Sequence, residues 1–281
     1  MDRPLVLFVC THNSARSQMA EGLLRARYGD RYRAASAGTS PGRVHPLAVE
    51  AMREVGVDLA SHHAKAVDAF PDGADVVVTV CDGAREACPY VPARDRNVHH
   101  GFPDPSAAEG TDAERLAAFR TVRDSIAVWI DAAFGPVEPA TPDDLRPVLT
   151  LLKAARLPRA DLAGSALDHF HVVRGTAGLL GVVGLEVYGG RWGLLRSLAV
   201  AEGARGSGLG GRLVAAVEAD AARLGLDGLY LLTTTAAPFF AARGWTGVDR
   251  DAVPEPVRTS TEFRGLCPAS AVCLTKAPGR A

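Results

Sequence analysis

VLFVCTHNSARSQMAEGLLRARYG, residues 6–29, sets a short apolar run against a small, polar loop and then an amphipathic run. Residues 5–10 suit one buried strand, and Ser17 to Tyr28 carries Met19, Leu23 and Leu24 on the inner side of a helix. The loop between them, CTHNSARS at 10–17, therefore runs from a strand end to a helix start. Backbone N–H groups there lack partners and can converge on a tetrahedral oxyanion. Arg16 adds a planar fork of donors for two oxygens of that anion. The same field favours thiolate over thiol at Cys10. One loop thus supplies a nucleophile, Cys10, and a binding site for its target built from Thr11, His12, Asn13, Ser14, Ala15, Arg16 and Ser17. Ser17 can donate to the sulfur, while Asn13 and Ser14 can hold the loop in shape. The competing reading is a core cysteine beside a surface arginine.

Working outward, YRAASAGT (32–39) has strand character, and PLAVEAMREVG (46–56) reads as a helix opened by Pro46 and stopped at Gly56. VVVTV (76–80) is β-branched and unalternating, as in a strand buried on both faces. A long helix is predicted over 111–132, with Ile126, Trp129 and Ile130 on its apolar side. Strands separated by helices predict an α/β doubly wound sheet with a parallel core, its site beyond the carboxyl ends of the strands. Cys81 then lies on the same rim as Cys10, and Cys88 follows seven residues later in CDGAREACP. HGFPDP (100–105) presents Asp104 where an acid can protonate a leaving oxygen. A phosphatase needs one such cysteine and one acid. Three thiols suit a reductase of an oxyanion, because two of them supply two electrons on becoming a disulfide. Zinc is the rival use of these cysteines; no CxxC pair or fourth cysteine occurs in this half, although His99 and His100 can ligate.

CTHNSARSQMAEG, SAGT (36–39), VTVCDGAREACP and HGFPDP together resemble the arsenate reductases that share the low-molecular-weight tyrosine phosphatase fold and are recharged by thioredoxin. The resemblance covers roughly residues 4–133. It implies that Cys10 attacks arsenate, Arg16 clamps the anion, Ser17 stabilises the thiolate, Asp104 is the general acid, and Cys81 and Cys88 are the relay pair. A Cys10–Cys81 disulfide would pass to Cys81–Cys88, and since disulfide geometry needs Cα atoms within about 7 Å, residues 82–90 must change shape. Some members have a further loop cysteine where this chain has Ala15. Members with a potassium site place oxygen ligands near positions held here by His63 and Lys65, and Lys65 can furnish that positive charge itself, so no metal is expected in this domain.

Near Gly135 the composition changes: FGPVEPATPDD reads as a proline-rich linker, which sets domains at 1–135 and 140–281. Residues 142–156 look helical, and HFHVVRG, LLGVVGLEVYG and GLLRSLAV look like an antiparallel meander. RGSGLG (205–210) then opens a helix, GLYLLTTT (228–235) is another strand, and APFFAARG (237–244) a short helix. The glycine loop can take a pyrophosphate on backbone N–H groups. The preceding meander argues against a dinucleotide fold, which needs a parallel strand and a GxGxxG loop.

This order resembles the GNAT N-acetyltransferases over roughly residues 140–277, a mixed α/β domain. The resemblance implies acetyl-CoA as cofactor, with Arg205, Gly206, Ser207, Gly208, Leu209 and Gly210 at its pyrophosphate and Leu198 and Val200 along its pantetheine. Many members carry a tyrosine acid where this chain has Phe240, which leaves open direct aminolysis or binding without turnover. Glu186 is a candidate base, with Tyr188 and Arg196 lining the pocket of an unknown small amine. TTTAAPFFAARGW with FRGLCPASAVCLTK looks more narrowly like acetyltransferases encoded with arsenic-resistance genes. Cys267 and Cys273 are then either a dithiol for trivalent arsenic or paired core cysteines.

A formal charge of -1 on 281 residues argues against a nucleic-acid or membrane surface. No apolar run is long enough to span a bilayer, and the N-terminus lacks a cleavage-site pattern, so a cytoplasmic location is expected. Five cysteines, an odd number, make a poor structural disulfide framework.

Overall fold

The computed structural model describes residues 3–80, 91–162, 167–176 and 178–279. The chain divides into two compact units, Met1–Phe134 and Gly135–Ala281.

In the first unit β1 (Leu5–Cys10) lies between β2 (Arg33–Gly38) and β3 (Ala74–Thr79), and β4 (Ala93–His99) forms the edge beyond β3; all are parallel. The unalternating apolar run of β1 has a direct cause, since both its faces are covered. Val6, Phe8 and Cys10 join a core with Met19, Met52 and Ile126, from helices α1 (Arg16–Tyr28), α2 (Pro46–Arg53) and α3 (Asp112–Phe134). Leu7 and Val9 join the opposite cluster with Ala37, Val77 and Val91. This α/β unit with a parallel sheet is the arrangement the sequence pattern predicts. The strand β4 is not. Its residues ARDRNVH are mostly exposed, so neither apolar alternation nor an apolar run marks it.

The second unit has one seven-stranded sheet, in the order β10-β11-β9-β8-β7-β6-β5. β6 (Phe170–Gly175), β7 (Gly178–Tyr188) and β8 (Trp192–Val200) form the antiparallel meander. Helix α4 (Leu145–Ala154) precedes it, and α5 (Leu209–Arg223) follows it. Part of the proline-rich stretch is structural, because β5 (Glu138–Pro139) pairs with His171 and Val172 of β6. β9 (Gly228–Thr233) runs parallel to β8, but the two pair only from Trp192–Leu194 to Gly228–Tyr230. Helix α6 (Ala237–Ala241), β10 (Thr246–Gly247), helix α7 (Glu255–Arg258) and β11 (Val272–Lys276) complete the unit. No helix among the described residues is long and apolar enough to cross a membrane.

Candidate functional site

Cys10 ends β1, and α1 begins at Arg16, so the five residues between them turn back over the sulfur. Asn13 takes a left-handed φ of 47°, and its N–H donates to Cys10 Sγ at 3.1 Å. Ser17 Oγ lies 2.9 Å from the same sulfur. Which of the two donates follows from the neighbours. Lys65 N–H can only donate, and at 2.8 Å it faces Asn13 Oδ1, which leaves Asn13 Nδ2 to donate to Ser17 Oγ at 2.9 Å and Ser36 Oγ at 2.8 Å. Ser17 accepts from Asn13, so its own proton points to sulfur. Ser36 in turn donates to Glu21 Oε2 at 2.6 Å.

The brace extends further through buried groups. Gln18 Nε2, with two protons, lies 3.0–3.1 Å from three acceptors, Asn13 O, Asn13 Oδ1 and His63 O, and His62 Nδ1 donates to Gln18 Oε1 at 2.8 Å. His62 Nε2 accepts from Arg25, and burial beside Arg25 and Lys65 holds this imidazole below its ordinary value despite Glu21. Lys65 Nζ lies 3.3 Å from Glu21 Oε2 and 3.2 Å from His63 O, so its ammonium supplies a positive charge to that buried carboxylate. Gly38, the glycine of SAGT, is required by distance rather than by φ. A Cβ there would stand 2.7 Å from Thr11 O and 2.8 Å from Asn13 N.

Cys10, Arg16 and Asp104 line one cavity of about 550 Å³, together with His12, Ser14 and Ala15. Phe102, buried against Trp129, anchors the loop carrying Asp104. Arg16 donates to Phe102 O at 3.0 Å and to Asp104 Oδ2 at 2.8 Å. Burial alone would push the Asp104 carboxyl up, but the Ser106 hydroxyl and N–H, with Arg16 and His12, outweigh it and hold Asp104 below the usual carboxylate range. At rest it is a carboxylate. His12 Nδ1 donates to Ser40 O at 3.2 Å, and Thr11 O accepts from Ser40 N at 2.8 Å. Cys81, Cys88 and the expected reshaping of 82–90 lie outside the described residues.

In the second unit, β8 and β9 part beyond Leu194 and Tyr230, opening a cleft of about 510 Å³. A bulge in β8 helps. Val182 and Gly184 of β7 pair with Ala199 and Arg196, so two residues face one, and Ser197 takes a φ of 57°. Leu198, Val200 and Arg205 line the cleft, as does Phe240. At its open end Gly206 and Gly208 have left-handed φ of 76° and 84°, and Gly208 caps α5. Among the described residues nothing lies within 4 Å of where a Gly208 Cβ would stand, so the space beside the start of α5 is open. Ser207 Oγ donates to Ala204 O at 2.7 Å and accepts from Leu209 N at 3.3 Å. Such a cradle fits a pyrophosphate.

Glu186 accepts from Tyr188 at 2.5 Å through Oε2 and from Arg196 at 2.5 Å through Oε1. Arg196 is buried and also meets Asp161 and, at 2.7 Å, Glu262. Cys267 is half-buried in the cleft wall and Cys273 is buried; both are free thiols. Burial pushes both up, Cys273 to about 11.

Residues 5–128 match the low molecular weight phosphotyrosine protein phosphatase family. An arsenate reductase of Halalkalibacterium halodurans is 45% identical over 127 residues, which are 45% of this chain and 91% of that protein. One of Bacillus subtilis is 42% identical over 127 residues, with the same shares. The chain belongs to the arsenate reductase family. In this arsenate reductase-family chain a second domain follows, since residues 166–246 match the acetyltransferase (GNAT) domain. A crystal structure of Rv2747 from Mycobacterium tuberculosis in complex with CoA and NLQ aligns over 50% of this chain and 98% of that one, at 21% identity and a TM-score of 0.45. Both halves of this reductase-family chain are thus of enzyme families.

Two groups escape a reading of motifs. Glu21 braces the reductase-family loop through Ser36 and through Lys65, 44 positions away, and only the three-dimensional pairing reveals it. Glu262, in the polar segment STEFRGL, carries no spacing signal, yet it lines the acetyltransferase cleft.

Proposed function

We propose that the first unit reduces arsenate to arsenite with thioredoxin as reductant, and that the second binds acetyl-CoA and acetylates a small amine, in the cytoplasm. The observation that carries the first reading is Cys10 Sγ, held by two donors at one cavity with Arg16 and Asp104. Arsenate takes the Arg16 donors, and Cys10 sulfur bonds to arsenic as one oxygen departs. Arg16 NH2, now spent on the anion, releases Asp104 from its resting ion pair, which raises its carboxyl toward a proton-carrying state. Asp104 then protonates the departing oxygen. Cys81 attacks Cys10 sulfur; the As–S electron pair stays on arsenic, arsenite leaves, and Cys10–Cys81 is oxidised. Cys88 attacks Cys81, freeing Cys10, and thioredoxin dithiol reduces Cys81–Cys88.

Arsenite formation from arsenate, measured beside hydrolysis of para-nitrophenyl phosphate, separates this from a phosphatase. Arsenite produced with thioredoxin in repeated turnovers supports reduction. Ester hydrolysis without arsenite overturns it.

The glycine cradle and the splay of β8 from β9 support acetyl-CoA binding in the second unit. Gly206, Ser207, Gly208 and Arg205 would hold the pyrophosphate, and Leu198 and Val200 the pantetheine. The group supplies an activated acetyl. Calorimetric titration of the full chain with acetyl-CoA tests this, and no heat at high micromolar concentration would overturn it. Cys267 beside the cleft also supports a test of arsenite binding there, read as protection of Cys267 from alkylation.

A further inference from the structure

Three carboxylates contend for one nitrogen in the wall of the second unit's cleft. Arg196 NH1 carries two protons, and these go to Asp161 Oδ2 and Glu186 Oε1. Glu262 Oε1 lies 2.7 Å from the same nitrogen, yet it is buried and has no hydrogen-bond partner among the described residues. Charge attracts it, but no proton is left for it. Its other oxygen accepts from Thr261 at 3.1 Å, a hydroxyl shared with Asp161, and the residue's own N–H also favours the carboxylate. The residue is 5% exposed and lines the cleft. A buried acceptor without a donor is costly, so Glu262 either holds a proton itself or awaits one from a ligand. Asp161, Glu186 and Glu262 bring their oxygens within 4.8 Å of one another, a spacing that would suit a metal ion, but the Arg196 guanidinium already occupies their centre.

Position along the cleft gives this group its task. From Val200, at the phosphate end, back to Arg196 is four residues, at most about 13 Å at ~3.3 Å per residue because the bulge at Ser197 shortens the strand. Glu262 thus lies well down the cleft from the glycine cradle. Glu186 has both oxygens engaged and is the poorer base. We propose that Glu262 receives the proton of the acetyl acceptor, a primary amine that enters as an alkylammonium ion. This rests on the acetyl-transfer reading of the second unit.

The ammonium N–H supplies the donor that Glu262 Oε1 lacks. Glu262 takes one proton, and the freed lone pair attacks the thioester carbonyl carbon. The C–N bond forms and the C–S bond breaks, its electron pair remaining on sulfur. Nitrogen's second proton goes to that sulfur, and Glu262 later returns its own to solvent. Groups facing Glu262 are Arg196 from β8, Glu186 and Tyr188 from β7, Asp161 from the turn before β6, and Cys267 downstream. Burial, with Glu186 and Asp161 adding to it, pushes the Glu262 carboxyl up despite Arg196. A cation displaces the proton such a group carries. An amino acid would bring a carboxylate that Arg196, already shared by three acids, is not free to bind.

The probes are 1,4-diaminobutane and glutamate, given to the full chain with acetyl-CoA while CoA thiol release is followed. Diaminobutane should be acetylated in preference to glutamate. Glu262→Gln should lower kcat/KM for the diamine about 100- to 10,000-fold at pH 7, keep acetyl-CoA affinity, and recover as pH rises and the diamine loses its protons. Glu262→Asp should retain more activity than Glu262→Gln. A readout free of turnover is calorimetry of diamine binding in two buffers of different ionisation heat. Wild type should release protons on binding, and Glu262→Gln should not. An unchanged rate and pH profile in Glu262→Gln, or preference for glutamate, would overturn the assignment. So would no CoA release with the diamine in a chain that binds acetyl-CoA. Failure to bind acetyl-CoA at all would instead bring down the underlying reading.

Discussion

The loop at residues 10–17 and the loop at 205–210 each follow a strand and open a helix, and for each we propose an anion as ligand. They are held in different ways. The first is braced by side chains, with Asn13 alone joined to Cys10, Ser17, Gln18, Ser36 and Lys65. The second is held by left-handed glycines and one hydroxyl, Ser207. A loop that contains the reacting atom must fix that atom to within fractions of an ångström. One that only anchors a distant phosphate needs open N–H groups and little more.

That contrast can be broken most severely at Cys10. Cys10→Ser should cut arsenate turnover at least about 10⁴-fold while leaving acetyl-CoA affinity unchanged, which parallel kinetics and calorimetry on one preparation would show. Arg16→Lys should follow, with a loss of about 10²- to 10³-fold in kcat/KM, because an ammonium cannot reproduce the planar fork. In the other loop, Gly208→Glu should weaken acetyl-CoA binding about 100-fold. Left-handed strain contributes about 1 kcal/mol of this, and a carboxylate in the phosphate cradle the rest; arsenate turnover should not change.

Stability sharpens the same contrast. Asn13→Ala leaves the Lys65 N–H without its acceptor and two serines without their donor, and should cost about 2–4 kcal/mol in urea unfolding of the first unit. Ser207→Ala should cost the second unit about 1 kcal/mol. Equal costs would contradict the difference drawn between the loops. The smallest effect is at Asp144, which caps the turn before α4 by accepting from Thr141 and pairing with Arg174. Burial opposes its charge, but those donors hold its carboxyl below the ordinary value. A depressed folded value stabilises above the unfolded one, near 4, and that contribution is lost as pH falls through the folded value. Asp144→Asn should therefore cost about 1 kcal/mol at pH 7 and progressively less below pH 4.

The braced loop was the more legible of the two regions. Cys10, Arg16 and Ser17 stand at fixed spacing between an apolar run and a helix, and Gly38 sits in a quotable SAGT, because local chain geometry dictates those identities. The glycine loop was readable from its glycines alone, since only glycine takes a φ near 80° without strain. What escaped was held by partners far along the chain. β4 is polar and lies on the sheet edge, β5 hides in a proline-rich stretch, and Glu262 acquires its meaning from Arg196, 66 residues earlier. Spacing rules see within one element, whereas charge pairing across a sheet leaves no periodic trace.

Steady-state NADPH oxidation with arsenate, thioredoxin and thioredoxin reductase tests the central claim most directly when wild type and Cys88→Ser are compared, with one arsenite per chain measured by rapid quench. Wild type should turn over repeatedly. Cys88→Ser should release a single equivalent of arsenite and stop, its Cys10–Cys81 disulfide detectable by mass spectrometry. Full multiple-turnover activity in Cys88→Ser, or no arsenite from wild type, would contradict the relay.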